Sequence, residues 1–295
     1  MRVAVIDVGS STIRLLVGAR ERHGVAPVSQ EREYLFLGES VERSGRLGRE
    51  NVRRATRVAA RYARLAREEG AAALELIVTA PGRQAADAGK LLGALAAATG
   101  ASVRVLSPEE EGRLAFLGAV AAARGLPESV AVCDVGGGST EVVVGTTSGG
   151  PAWERSLDAG AVRLTERVPL GDPPAKGAVA AMRAEVERLL EGFAPPLTQA
   201  ALAAGGTARA LRKLVGRELA PGDIEAALVL LSKRHSSRIA KTFGIHERRV
   251  RTLPAGAVVL AAVQRRLGVP LVVSRAGLRE GAALELLDAA ASSAA

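Results

Sequence analysis

The sequence predicts an α/β fold of two lobes, each with a mixed sheet and helices, that share one duplicated pattern. Strand-like apolar runs alternate with segments of helical periodicity along most of the chain. A strand, a glycine-containing turn and a second strand occur at 2–19 and again at 130–145. The 295 residues also exceed the size at which a single core usually stops growing. Two domains with a cleft between them are therefore expected.

The first half begins with a predicted hairpin, in which apolar strands at 2–8 and 12–19 flank a short turn. Between 50 and 69, apolar side chains recur every three or four residues, which indicates a helix. Beyond this helix, the pattern predicts a strand at 74–80, a helix at 85–98, a strand at 102–107 and a helix at 109–124.

The second half repeats the opening pattern. In both copies an aspartate, Asp7 or Asp134, precedes Val-Gly, a Ser-Thr pair follows, and a Val-Gly pair ends eleven residues after the aspartate. An internal duplication explains this repeat. The predicted lobes are 1–122 and 123–295, with a C-terminal helix that can pack back on the first lobe. Further predicted elements are strands at 153–157, 200–204 and 270–274 and helices within 175–193, 207–267 and 278–290.

The composition indicates which classes of partner and which cellular compartment to expect. Lysine and arginine exceed aspartate and glutamate by 40 to 31, and the resulting charge of +9 favours polyanionic partners. Aromatic residues make up only 2%, too few to interleave with the basic clusters for base stacking, so nucleic acid is disfavoured. The start lacks a signal-peptide pattern, and no apolar run reaches the roughly 18 residues of a membrane span. The single cysteine, Cys133, fits reducing cytosol, so a cytoplasmic protein without a membrane partner is expected.

Two basic clusters stand out within this charge. Seven arginines between 49 and 67 lie along one predicted helix, where a solvated face is favoured over a binding strip. The lysines and arginines between 233 and 251 are packed more densely, and the two interpretations are balanced there. Neither cluster alone identifies a partner.

Glycine-rich turns after the two aspartates are candidate phosphate-binding loops. A strand that ends in Asp and continues into such a turn places a carboxylate beside backbone N–H groups that a phosphate can approach closely. Opposed across a cleft, the two copies would hold a phosphate chain from both sides, and Asp7 and Asp134 would ligate Mg2+ directly or through water. A third candidate follows the strand at 200–204 and opens a helix, although a plain strand-to-helix turn explains it equally well. The candidate phosphate-binding residues are Gly9, Ser10 and Ser11, then Gly136, Gly137, Gly138, Ser139 and Thr140, and finally Gly205, Gly206 and Thr207.

Three consecutive carboxylates, Glu109, Glu110 and Glu111, open the helix that ends the first lobe. Successive helix positions point about 100° apart, so at most two of the three side chains can face a cleft. For Glu109 a solvated helix start is the favoured interpretation. One carboxylate is enough to act as a base.

Seven segments, in their order and spacing, resemble the motifs of the exopolyphosphatase and guanosine pentaphosphatase family of the actin-like ATPase superfamily. They are 7–12, 79–83, 107–113, 134–141, 160–166, 205–207 and 274–281. The resemblance covers nearly the whole chain and corresponds to the short form of the family, without an additional C-terminal domain. It implies two actin-like, ribonuclease H-like lobes with the active site in the cleft between them.

The resemblance also implies roles for individual residues. Glu111 would be the catalytic base, Asp134 the main Mg2+ ligand and Arg83 a phosphate contact. Glu141 matches a further acidic position and, with Asp7, would complete the metal site. A homodimer is expected on the same ground.

Departures from the family pattern leave the base and the metal positions intact and put substrate choice in question. Position 11 is Ser where the family usually has Asn, and 80–82 reads Ala-Pro-Gly instead of a Ser-Ala pair and an apolar residue. Arg251 and Arg275 stand where acidic residues are frequent. These residues alter what lines the phosphate-binding surfaces.

The leading hypothesis is Mg2+-dependent hydrolysis that releases terminal orthophosphate from inorganic polyphosphate, with water activated by Glu111. Removal of the 5′-terminal phosphate of guanosine pentaphosphate is the nearest alternative. A sensor that binds polyphosphate or an alarmone without turnover stays open because of the departures near position 11. A phosphotransferase of the same superfamily would also need a nucleotide pocket and an acceptor site. Ser139 as the nucleophile of a hydrolase elbow is disfavoured, because no histidine has a suitable motif context.

Overall fold

The structure of the chain is a computed structural model that describes residues 1–292 and contains two compact units. Unit 1 consists of Met1–Ala123 together with the chain from Ala276 onward, and unit 2 consists of Arg124–Arg275. Within residues 1–292, every helix is too short or too polar to span a bilayer.

Strands and helices alternate along most of the chain. From the N-terminus they are β1 (Arg2–Val8), β2 (Thr12–Glu21), β3 (Gly24–Tyr34), α1 (Leu37–Ser44), α2 (Arg49–Glu68), β4 (Ala73–Val78), α3 (Ala80–Gln84), α4 (Ala88–Thr99), β5 (Ser102–Val105) and α5 (Pro108–Ala121). The chain continues with β6 (Ser129–Val135), β7 (Thr140–Thr146), β8 (Gly150–Leu157), α6 (Ala161–Arg167), α7 (Ala178–Leu189), β9 (Ala200–Ala204), α8 (Gly205–Val215), β10 (Glu218–Leu219), α9 (Pro221–Lys233), α10 (Ser236–Phe243), α11 (Glu247–Leu267), β11 (Leu271–Val273) and α12 (Leu278–Ser292).

Both units contain the same sheet. In unit 1 the strand order is β3-β2-β1-β4-β5, in which β2 is antiparallel to both neighbours and β4 and β5 run parallel to β1. In unit 2 the order β8-β7-β6-β9-β11 repeats this arrangement, and β10 adds an antiparallel edge strand. The register repeats as well, because Asp7 lies opposite Arg14 and Asp134 lies opposite Glu141. The predicted duplicated α/β fold is confirmed.

Alternating apolar side chains bury both faces of the unit 1 sheet. Ala4 and Ile6 of β1 belong to a core that also contains residues of α2 and α4, whereas Val3 and Val5 belong to a second core with residues of α5 and α12. One strand supplies both cores because its successive side chains point to opposite faces. In unit 2 a single large core joins the sheet to helices α6 to α11.

Helix α12 packs on α5 in unit 1 at backbone contact. A Cβ atom on Gly118 of α5 would overlap the carbonyl oxygen of Gly277, and a Cβ atom on Gly281 of α12 would overlap that of Leu114. Only glycine lets the two helix backbones approach so closely. This contact fixes the position of α5, whose first turn carries Glu111.

Unit 1 differs from the sequence prediction at three places: strand β3, helix α1, which was not predicted, and the start of α4. The edge strand β3 was missed because exposed charged residues such as Glu31 and Arg32 interrupt the apolar pattern of a strand. The helix predicted from residue 85 begins at Ala88, and the short helix α3 precedes it. Between the two helices, the carboxylate of Asp87 accepts N–H groups from Leu47 and Gly48 at 2.7 and 3.0 Å.

We expect Gly281→Ala to destabilise the protein, because the added methyl group overlaps the Leu114 carbonyl. Overpacking of this kind costs about 1–3 kcal/mol. Gly93→Ala is the control, since Gly93 is a helical glycine of α4 with nothing within 4 Å of an added Cβ atom. This control should gain about 0.5–1 kcal/mol from its higher helix propensity. Chemical unfolding measures both, and equal stability of the two variants would contradict the close helix contact.

Candidate active site

The first predicted phosphate loop joins β1 to β2 and is anchored through its carbonyl groups. The Ser10 carbonyl accepts the N–H of Gly38, in the first turn of α1, at 2.9 Å. The Ser11 carbonyl accepts the N–H groups of Leu35 and Phe36 at 3.1 and 3.0 Å. In a trans peptide the N–H points opposite to the C=O. The N–H groups that follow these carbonyls therefore point away from the segment that leads into α1.

Ser10 and Ser11 are themselves buried, with 5% and 4% of their surface exposed. Within residues 1–292 the Ser11 hydroxyl has no hydrogen-bond partner. A buried hydroxyl without a partner is costly, and a phosphate oxygen is a partner that would satisfy it. Ser11 thus fits the predicted role in phosphate binding, although it replaces the residue usual in the family.

The second loop, between β6 and β7, is anchored in the same way. The Gly136 carbonyl accepts the N–H of Ala161 at 3.0 Å, and the Gly137 carbonyl accepts those of Val162 and Arg163 at 2.9 and 3.1 Å. All three donors belong to the first turn of α6. The N–H groups that follow these two carbonyls point away from α6. Each loop therefore presents amide groups on one side while a helix start holds the other.

The same hydrogen bond closes both turns. Gly9 donates its N–H to the Thr12 carbonyl, and Gly136 donates its N–H to the Ser139 carbonyl, each at 3.0 Å. Gly138 of the second loop, which precedes Ser139, is buried, as Ser10 and Ser11 of the first loop are. The backbone geometry of the two loops is thus duplicated along with the strands that flank them.

Two predicted phosphate-binding threonines use their hydroxyl groups to anchor loops. Thr140 donates to the Ala159 carbonyl at 2.8 Å, and Thr207 donates to the Val135 carbonyl at 3.0 Å. Neither residue has any exposed surface. While these bonds hold, the two hydroxyl protons are not available to a phosphate, so the side chains serve the structure of the loops.

The third loop opens α8 and lies against Asp134. Gly205 has a left-handed φ of +81°, and a Cβ atom there would overlap the Asp134 carboxylate. Glycine is therefore required for two reasons, the backbone conformation and the space. The N–H groups of Gly205, Gly206 and Thr207 lie in the first turn, where no preceding helical carbonyl can accept them. This turn places helix-start amides beside a predicted metal ligand.

Asp134 and Glu141 form a pair of carboxylates across β6 and β7. They are opposite each other in register, so their side chains share one face of the sheet. Glu141 is 3% exposed and accepts a hydrogen bond from the Ser156 hydroxyl at 3.0 Å. Like charges directly opposite each other destabilise a sheet, and a bound cation would offset that repulsion. Within residues 1–292 no cluster of three or more His, Cys, Asp or Glu side chains forms a metal site.

Two carboxylates nevertheless fit a Mg2+ ion, because that ion keeps several waters and takes the remaining oxygens from substrate phosphates. The neighbouring Cys133 is a packing residue. Burial, followed by the negative charges of Asp134 and Glu141, raises the pKa of its thiol far above the usual value. By strand alternation its side chain points to the sheet face opposite that of Asp134, where it packs in the core of unit 2.

Asp7, the counterpart of Asp134 in unit 1, has a different neighbour. Arg14, rather than an acid, lies opposite it on β2. Asp7 is 7% exposed, and by strand alternation its side chain points to the sheet face of Val3 and Val5, the face covered by α5 and α12. Its side chain therefore lies on the face of the sheet on which the helix of Glu111 packs.

The three consecutive glutamates at the start of α5 lie in three different environments. Glu110 forms a capping box with Ser107, in which each side chain bonds the other residue's N–H, at 2.8 and 3.1 Å. Glu109 is exposed, and its pKa is lowered because its own backbone N–H and the Ser107 hydroxyl donate to the carboxylate. Glu111 alone is buried, with 9% of its surface exposed. The favoured solvated interpretation of Glu109 agrees with this placement.

Arg83 holds Glu111. Its Nη1 atom donates to Glu111 Oε2 at 2.9 Å and to the Leu106 carbonyl at 2.7 Å. The side chains of Arg83 and Glu111 are 18% and 12% exposed, so the ion pair is partly shielded from water. Arg83 comes from α3, directly after β4, and Leu106 follows β5. Arg83 thus links the ends of two neighbouring parallel strands and orients the predicted base, Glu111. Its guanidinium retains further N–H donors for a phosphate.

Sequence reasoning gave no role to several residues that shape the site. Gly160 permits α6 to reach the second loop, because a Cβ atom there would overlap the backbone of Gly137. Arg163 is buried in the same helix and pairs with Asp158. The motif at 160–166 was the signal for both residues. Ser156 gave no signal, because its contact with Glu141 depends on the pairing of β7 with β8.

We expect Gly205→Ala to lose more stability than a change at an unobstructed left-handed glycine. The variant combines backbone strain of about 1–2 kcal/mol with an overlap on the Asp134 carboxylate. Gly192→Ala is the control, since Gly192 has a φ of +70° and nothing within 4 Å of an added Cβ atom. Chemical unfolding should show the larger loss for Gly205→Ala. Equal losses in the two variants would contradict the contact between this turn and Asp134.

Comparison with known proteins gives one consistent result. The Ppx/GppA phosphatase family matches residues 16–290. Exopolyphosphatase 1 of Mycobacterium tuberculosis is 30% identical over 312 residues, which cover 99% of this chain and 90% of that protein. Exopolyphosphatase 2 of the same organism is 30% identical over 322 residues, covering 97% of this chain and 98% of that protein.

Solved structures agree with the sequence comparisons. The crystal structure of the Aquifex aeolicus member of the Ppx/GppA family is 30% identical and superposes with a TM-score of 0.82, covering 98% of each chain. An exopolyphosphatase from Cytophaga hutchinsonii, at 20% identity and a TM-score of 0.87, shares the fold and covers 98% of each chain. The predicted two-lobed, actin-like fold is confirmed. The chain therefore belongs to the Ppx/GppA phosphatase family and is a hydrolase.

Proposed function

We propose that this chain is an exopolyphosphatase that releases terminal orthophosphate from inorganic polyphosphate, with Glu111 as the general base. The observation that carries the proposal is the selection of Glu111 from three adjacent carboxylates. Glu109 is exposed and Glu110 caps α5, whereas Glu111 is buried and oriented by Arg83. Two relatives that match nearly the whole chain are named exopolyphosphatases, which supports polyphosphate as the substrate.

The reaction follows from the proposed roles. Glu111 takes a proton from a water molecule and aims its oxygen in line with the terminal phosphorus. The new bond joins the water oxygen to phosphorus while the bridging P–O bond breaks, and the shortened chain leaves as an anion. Loop N–H groups, such as those after the Ser10 and Gly137 carbonyls, bind the phosphate oxygens. Arg83 keeps Glu111 in place and donates to the same phosphate.

Asp134 and Glu141 are the proposed ligands of a divalent cation such as Mg2+, with Asp7 as a further ligand through water. When bound, the cation neutralises charge that builds up on the phosphate oxygens. The side-by-side carboxylates of β6 and β7 support this assignment, because they are an oxygen donor set that a cation would stabilise.

Guanosine pentaphosphate is a second candidate substrate, since the family description covers both Ppx and GppA. Both substrates present a terminal phosphoryl group on a phosphoanhydride chain, so the same loops and base would serve.

We also propose a cytoplasmic enzyme, on the ground of the single, buried cysteine. The homodimer expected from the family resemblance stays a proposal that light scattering would test.

A phosphate-release assay tests the substrate directly. With Mg2+ present, we expect orthophosphate from long-chain polyphosphate, less or none from ATP, and no release in excess chelator. Guanosine pentaphosphate and tripolyphosphate complete the panel. Asp134→Asn should abolish release, whereas Asp288→Asn, an exposed aspartate of α12, should leave it unchanged. Release from none of these substrates would favour a binding protein without turnover.

The glutamate series tests the base. Glu111→Gln keeps the size and polarity of the side chain but loses the proton acceptor, so the rate should fall by about 10² to 10⁴ while substrate still binds. Glu109→Gln changes an exposed side chain and should leave the rate nearly unchanged. Glu110→Gln retains an acceptor for the Ser107 N–H and should lose at most a little stability.

Single-turnover rates together with equilibrium binding separate the chemical step from affinity in these three variants. Similar small effects at all three positions would contradict a base in this helix. A large loss at Glu110 alone, with the fold intact, would move the base by one residue.

A further inference from the structure

Helix α2 and the end of β3 form an open groove with a volume of about 530 Å3 in unit 1. Four arginines of α2 line it, together with Glu33 and a floor formed by Leu35 and Val58. We call this surface the arginine groove, and its arginines are Arg54, Arg57, Arg61 and Arg64.

The spacing of the four arginines places them on one side of the helix. At 100° per residue they fall within about 80° of each other, and at 1.5 Å per residue they extend over about 15 Å of the helix axis. The sequence favoured a solvated face for this cluster. Together with β3, however, the face is concave, so the four side chains converge on one volume.

The groove carries unbalanced positive charge. Of the described residues that line it, Glu33 alone is acidic, and it pairs with Arg61 at 2.8 Å, which raises the pKa of that guanidinium. Arg64 makes an exposed pair with Glu68 at 3.6 Å, a contact that neutralises little. In the part of the chain that the structure describes, Arg54 and Arg57 have no carboxylate within ion-pair distance. Like charges gathered in a concavity raise the local concentration of anions.

The groove adjoins the first phosphate loop without being part of it. Leu35, in the floor of the groove, donates its N–H to the Ser11 carbonyl at 3.1 Å. One hydrogen-bonded stretch of backbone therefore separates the groove from the loop. The loop's amides point to the opposite side of this stretch.

We propose that the arginine groove is a second binding site for the phosphate chain of a long polyphosphate, resting on the function proposed above. Planar guanidinium groups match phosphate oxygens with pairs of N–H donors. Among residues 1–292 no aromatic ring lines the groove, so it offers phosphate contacts and no platform for stacked bases, which favours an inorganic chain over a nucleic acid. A second contact on the same chain strengthens the binding of long substrates and does nothing for short ones.

Equilibrium binding of end-labelled long-chain polyphosphate tests the groove, measured by fluorescence anisotropy in chelator so that turnover does not interfere. Arg54→Gln/Arg57→Gln should raise Kd by about tenfold and lower the slope of log Kd against log salt by about one to two, because two phosphate contacts are lost. The control is Arg22→Gln/Arg49→Gln, which removes the same charge from two exposed arginines of unit 1 outside the groove. It should change Kd by less than about twofold.

Further measurements fix the interpretation. Tripolyphosphate is too short to use a second site. The wild type, the Arg54→Gln/Arg57→Gln variant and the control variant should therefore hydrolyse it at the same rate. Arg54→Lys/Arg57→Lys keeps the charge and should retain the salt slope of the wild type. Equal Kd values for the groove and control variants would overturn the proposal. Tighter binding of a single-stranded oligonucleotide of equal charge, lost in the groove variant, would overturn it in favour of nucleic acid.

The binding measurement is independent of the proposed activity. A protein that releases no phosphate, yet loses affinity for polyphosphate when Arg54 and Arg57 are changed, would refute the exopolyphosphatase and retain the groove. A protein that releases phosphate, but whose groove variant binds polyphosphate as tightly as the wild type, would refute the groove and retain the exopolyphosphatase.

Discussion

Both halves of this protein depend on one constraint, which is that helix-start N–H groups hold the carbonyl side of each candidate phosphate loop. In unit 1 the N–H of Gly38 binds the Ser10 carbonyl, and in unit 2 the N–H of Val162 binds the Gly137 carbonyl. Fixing the carbonyls of trans peptides also fixes the amides that follow them. For the phosphate binding proposed above, loops held in this way would already be ordered before the anion binds, which would reduce the ordering cost of binding.

Most of the fold was predictable from local patterns in the sequence. The duplication was predictable because a strand, a tight turn and a returning strand leave the same residue types at the same spacing around Asp7 and Asp134. Strand β3 was not predictable, since its place in the sheet comes from hydrogen bonds to β2 and not from its own apolar pattern. The contact of Asp87, just before α4, with the N–H of Leu47 joins residues 40 positions apart, and no local pattern records it.

The candidate site was predictable in residue types and only partly in roles. Two copies of a glycine loop after an aspartate predict phosphate binding from the sequence, and the family resemblance named Glu111. From residue types alone, however, the choice among the three glutamates depends on which helix face is covered. That face depends on α12, which arrives from the far end of the chain and contacts α5 at Gly281. The partnership of Arg83 with Glu111 likewise joins the ends of two separate strands. The hydroxyl bonds of Thr140 and Thr207 are of the same long-range kind.

One register position separates the chemistry of the two hairpins. Asp7 faces Arg14, so unit 1 places a guanidinium-bearing residue opposite its aspartate, while Asp134 faces Glu141, a second acid. Since two carboxylates opposite each other repel, the unit 2 pair is the better candidate donor set for the proposed metal ion. The duplicated backbone therefore provides two equivalent candidate phosphate loops, and the residue seven positions after each aspartate sets the charge opposite it, a guanidinium in unit 1 and a carboxylate in unit 2.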